Sequence, residues 1–158
     1  MRAVNRLGCL SGVSARTRAW RMAYRFTAQF AWGVDDPDQE PCVQAGVAES
    51  DDEESFSLHF MCGFEEPDAQ EMFLGMDTYC LVAPDQSAAY GCVRTVEFDR
   101  DLLRVTLDPE SLDDLDLEDH GIEVVLQAPV EDVARMREVL PRILEYGRPD
   151  ARPGLTMA

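Results

Sequence analysis

At 158 residues the chain has the length of one domain, most domains falling between about 50 and 250 residues, and its 46% hydrophobic content is ordinary for a soluble globular protein. All 14 basic residues are arginine and 31 residues are acidic, a formal net charge of −17. That balance excludes unaided binding to a nucleic-acid backbone or an anionic membrane surface, both of which need cations against phosphate, and it favours a basic macromolecular partner instead.

Charge is uneven along the chain. Six of the arginines lie in residues 1 to 34 with no acid among them, leaving eight against all 31 acids in residues 35 to 158. The apolar stretch Leu7 to Ala15 is broken by Gly8, Ser11, Gly12 and Ser14, too weak for a secretory signal, and Arg6 before Leu7-Gly8-Cys9 does not fit a lipoprotein signal. Residues 1–21 are therefore expected to be a disordered basic leader or to precede the true start at Met22. A single domain is expected over 22–148, with a flexible tail over 149–158.

Tyr24, Phe26, Phe30 and Trp32 recur with period two, predicting one half-buried strand with its aromatics on a single face. The segment from Gly33 to Pro41 holds two prolines and four acids and reads as a solvated turn. Strands are predicted over Cys42 to Ala48 and Ser55 to Cys62, separated by the acidic turn Glu49 to Glu54. Glu65 to Leu74 predicts a short helix, with Pro67 and acids in its first turn and apolar contacts from Met72, Phe73 and Leu74, ending at Gly75.

Thr78 to Ala83 and Ala89 to Phe98 flank a turn-rich loop and predict a hairpin, and Leu102 to Leu107 predicts the next strand. Seven acids crowd Asp108 to Asp119. A last strand is predicted at Ile122 to Gln127, then an amphipathic helix from Val130 to Leu144, kinked or shortened at Pro141 and stopped by Gly147 and Pro149. Strands first and one principal helix last predict an α+β fold: a mostly antiparallel sheet of six or seven strands with the C-terminal helix on one face.

No pattern in the chain carries catalysis or a cofactor. Five cysteines stand at wide spacing with no CxxC pair, and no apolar run approaches the ~18 residues of a membrane span. Asp114, Asp116 and Glu118 start a calcium-loop pattern, but Asp119 stands where glycine is needed and Val125 where glutamate is needed. His59 and Cys62 have opposite parity in one strand and cannot share a zinc. There is no GxSxG and no phosphate-cradling loop, and lysine is absent. The expectation is a non-enzyme without metal or cofactor. The alternative is a small-ligand-binding or enzymatic domain using a cleft near Asp77, Tyr79 and Tyr90, where the simplest reading is a helix-to-strand junction with the two tyrosines as cross-strand partners.

Leu74-Gly75-Met76-Asp77-Thr78-Tyr79, then Asp85-Gln86, Tyr90-Gly91 and Phe98-Asp99-Arg100-Asp101-Leu102-Leu103-Arg104-Val105 resemble the immunity protein 10 family of bacterial polymorphic toxin systems. Tyr24-Arg25-Phe26-Thr27-Ala28 and the closing strand and helix fit as well, so the resemblance spans roughly residues 22 to 146; it departs at Gly91-Cys92, where a second glycine belongs. The resemblance implies a non-enzymatic cytoplasmic protein that binds and blocks a cognate toxin domain. An acidic inhibitor would fill and be steered into the basic cleft of a nuclease-like toxin. The residues expected to face it are Asp35, Asp36 and Asp38; Asp51, Asp52 and Glu53; Asp77 and Tyr79; and Asp113, Asp114 and Asp116.

Overall fold

A computed structural model describes residues 24–52, 55–84 and 86–157. Its elements run β1 (Tyr24–Ala28), β2 (Phe30–Val34), β3 (Val43–Ala48), β4 (Ser57–Cys62), α1 (Ala69–Phe73), β5 (Cys80–Val82), β6 (Ala88–Tyr90), β7 (Val93–Asp99), β8 (Leu102–Leu107), α2 (Leu112–Leu115), β9 (Gly121–Leu126), α3 (Val130–Leu144) and β10 (Gly154–Met157). The expected leader, residues 1–21, lies outside the described residues.

The class is α+β, but the strands form two five-stranded sheets, not one sheet of six or seven. The first has the order β1-β9-β8-β7-β10, with parallel pairs at both edges (β1 with β9, β10 with β7) and antiparallel pairs between. The second, β2-β3-β4-β5-β6, is antiparallel throughout. Residues 149–157, expected as a flexible tail, instead form a 3-10 turn (Pro149–Ala151) and edge strand β10.

The divergence from the sequence pattern begins at Gln29, which divides the aromatic run between the two sheets. Its backbone N–H donates to the Ala48 carbonyl (3.0 Å), while the Ala28 carbonyl just before it accepts from Gln127 N–H (2.9 Å). Burial switches parity across this corner. Phe26 and Ala28 point inward on β1, but Ala31 and Gly33 point inward on β2. A one-residue offset in a strand moves every side chain to the other face, so Phe30 and Trp32 face out, away from Phe26.

Small inward residues on β2 let α3 approach closely. A β-carbon at Gly33 would lie 2.5 Å from the Arg135 carbonyl oxygen. The helix packs mainly on β2, then on β3 and β4. It buries Met136, Val139, Leu140, Ile143 and Leu144, so the apolar stripe continues past Pro141. These residues and the inward faces of both sheets form one hydrophobic cluster. The short helix α1 is closed by a reciprocal cap: Glu71 N–H donates to Asp68 Oδ1 (2.8 Å) and Asp68 N–H to Glu71 Oε1 (2.9 Å). Contrary to the sequence expectation, Met72, Phe73 and Leu74 make little apolar contact, and Phe73 is 88% exposed.

Candidate functional site

The outward faces of the two sheets differ in chemistry. Across the first sheet one row of paired residues, Arg25, Glu123, Arg104 and Glu97, forms a continuous charge ladder with N···O distances of 3.2, 2.9 and 3.2 Å. Such exposed pairs are well solvated and contribute little to stability. In this row every charge already faces an opposite one.

The outward strand positions of the second sheet hold no acid and no arginine. Its rows, read across the paired strands, are Val34, Gln44, Met61, Cys80 and Tyr90; then Trp32, Gly46, His59, Val82 and Ala88; then Phe30, Ala48 and Ser57. Trp32 lies over Gly46, where a β-carbon would come within 2.5 Å of its ring, and meets the His59 ring edge-on at 5.5 Å and 82°. Burial lowers the His59 pKa, opposed by the charge of Glu40, and its Nε2 is buried without a hydrogen-bond partner among the described residues. The imidazole is therefore neutral at physiological pH. Phe30 and Tyr90 remain 45% and 41% exposed.

Acidic hairpin loops border this face at both ends of β3. At one end Asp36 Oδ1 accepts from Asp38 N–H (2.9 Å), and Glu40 Oε1 accepts from the Gln44 side chain (2.8 Å). Asp35 is committed to the fold, pairing with Arg142 of α3. At the other end Asp51 and Asp52 line an open groove of about 530 Å³ together with Phe30, Trp32, Ala48, Ser57 and Gln86. Glu53 lies outside the described residues. Asp113, Asp114 and Asp116 are exposed on and after α2, which packs against β6, and Asp116 ends that helix in the left-handed region (φ 56°).

Asp77 and Tyr79 occupy the interior, where they offer a partner little surface. Asp77 is 6% exposed and bound to Arg148 (2.7 Å), and Tyr79 is 0% exposed. The Tyr79 hydroxyl accepts from Val93 N–H (2.9 Å) and has the carbonyls of Val93 and Ala151 within reach of its proton (3.1 and 3.2 Å). Burial raises its pKa. Tyr90 pairs with Cys80 and not with Tyr79, and it stands on the opposite, outward face. The three residues of the proposed ligand cleft therefore do not converge on one cavity.

The sequence model described as Immunity protein 10 matches residues 27–134, more than half of the chain. The chain belongs to the immunity protein 10 family. The match is narrower than the span inferred from the motifs, yet it contains both hairpin loops and every strand of the second sheet. Comparison with curated proteins and with solved structures yields no match. Among the described residues no helix is long and apolar enough to cross a membrane.

Sequence reasoning for this immunity-family chain located the acidic loops and missed the aromatic face between them. The available signal was glycine within strands: Gly33 and Gly46 mark close approach by another element, as strand glycines often do. Gly33 seats the helix on one side, which forces Phe30 and Trp32 to the other.

Proposed function

We propose that this protein is an immunity protein that binds and neutralises a cognate polymorphic toxin domain, acting by occlusion and not by catalysis. The observation carrying the reading is the outward face of the second sheet, an uncharged field with Phe30, Trp32, Met61 and Tyr90, bounded by acidic loops. Protein interfaces are depleted of charge at their centres and enriched in aromatics and Met, with polar rims, and this face has that composition. Membership in the immunity family supplies the kind of partner. The net charge of −17 selects a basic one, because long-range attraction speeds encounter with opposite charge.

The test is titration of the full chain with the toxin domain encoded beside it, at low and high salt, with a parallel assay of cell survival. Tight binding that weakens with salt and restores growth is the expected result. Absence of binding at either salt overturns the reading.

A further inference from the structure

The groove between the β3–β4 turn and the outward face of the second sheet combines two features that neither the sheet nor the loop has alone. Its walls include the rings of Phe30 and Trp32, and its rim carries Asp51 and Asp52. An aromatic wall without charge takes any apolar group, and an acidic turn without a wall is simply hydrated. Together they select a cation with a flat or aliphatic surface, because a guanidinium or ammonium over an aromatic face gains attraction from the ring while its N–H groups reach carboxylates. We propose that this groove receives an arginine or lysine side chain projecting from the toxin domain; the inference rests on the immunity reading above.

Hydrogen bonds tie Glu49, Asp52 and Ser55 to their neighbours beside the groove. Asp52 N–H donates to Ser50 Oγ (3.1 Å), Ser55 N–H to the Asp52 carbonyl (3.0 Å), and Glu49 N–H to the Phe56 carbonyl (2.9 Å). The Ser55 hydroxyl donates to the Asp52 carbonyl at 2.8 Å. The small side chains of Ala48 and Ser57, paired across β3 and β4, also line the groove and leave room beside the aromatic residues. Guanidinium is the better occupant, since it stacks in plane on an aromatic ring and engages a carboxylate through two parallel N–H groups.

The experiment measures affinity of the full chain for the adjacent-gene toxin domain with Phe30→Ala, Asp51→Asn and the double variant, each checked for an unchanged melting temperature. Asp132→Asn, exposed on α3 and outside the groove lining, serves as a control. The expected result is a loss of about tenfold or more for each groove variant. The double variant should lose less than the product of the two, since both residues contact one cation. Asp132→Asn should leave the dissociation rate unchanged. Groove variants that bind within about twofold of the wild type, which itself binds, overturn the groove assignment and leave the immunity reading standing. A wild type that does not bind overturns both.

Discussion

Gly33 of β2 and Arg135 of α3 are in backbone contact: a β-carbon on Gly33 would approach the Arg135 carbonyl oxygen to 2.5 Å and the Met136 Cα to 3.0 Å. Neither atom is the end of a flexible side chain, so the helix as a whole must move to accommodate it. Gly33→Ala is expected to cost about 3 kcal/mol, at the upper end of overpacking effects. Urea unfolding checks it. A midpoint equal to that of the wild type would show that the helix does not rest on this strand.

That contact also explains what the sequence could and could not disclose. The amphipathic stripe of α3 was readable between Val130 and Leu144, although Pro141 does not end it early as expected, and so was β8 at Leu102 to Leu107, because each has a period matching its element. The two-sheet division was hidden. Period two across Tyr24 to Trp32 is unbroken in the sequence, yet Gln29 turns the corner and reverses the faces. Strand β10, only four residues long, lacks a clean alternation of buried and exposed positions and joins β7 through backbone pairing. Among the site residues, acidity marked Asp51 but could not separate it from Asp35, which pairs with Arg142.

Tyr79→Phe should destabilise the protein by about 2 kcal/mol, because removing the hydroxyl leaves the buried Val93 N–H without its acceptor. The ring itself stays packed, so the loss isolates the polar term. Chemical denaturation measures it. Toxin affinity of the folded variant should be unchanged, since Tyr79 has no exposed surface.

His59 makes stability depend on pH in a defined direction. Burial lowers its folded pKa below the ordinary value of 6.5, with the charge of Glu40 from the β2–β3 loop opposing. Above that value the ring is neutral in both states. As pH falls through it the unfolded chain binds a proton that the folded ring refuses, so stability is lost toward acid. His59→Gln should flatten this part of the profile below about pH 7. Parallel profiles for the two proteins would contradict the assignment.

Thiol chemistry should follow burial. The Cys62 and Cys92 pKa values are pushed up to about 12 chiefly by burial, whereas Cys42 and Cys80 are only partly buried and raised less. At about pH 8 a thiol with that pKa is ionised in roughly one molecule in ten thousand, and only the thiolate reacts. Alkylation followed by peptide mapping should therefore find Cys42 and Cys80 modified well before Cys62 and Cys92. A toxin seated on the second sheet should slow modification of Cys80, which shares the outward row with Met61 and Tyr90.

Salt is expected to move stability and binding in opposite directions. Arg25, Arg94, Arg104, Arg135, Arg142 and Arg148 already meet carboxylates, so the excess acid of a chain with net charge −17 repels itself in the folded state. Repulsion opposes compaction, and salt shortens its reach to about 10 Å at 0.1 M. The exposed ion pairs lost to screening contribute little each. Raising salt should therefore increase the melting temperature by a few degrees, a change on the order of 1 kcal/mol. The same screening removes the attraction that brings a basic toxin to Asp51 and its neighbours, so affinity should fall over the range in which the fold becomes more stable. A melting temperature that falls together with affinity would mean that salt acts by unfolding the chain, and the electrostatic account of binding would then fail.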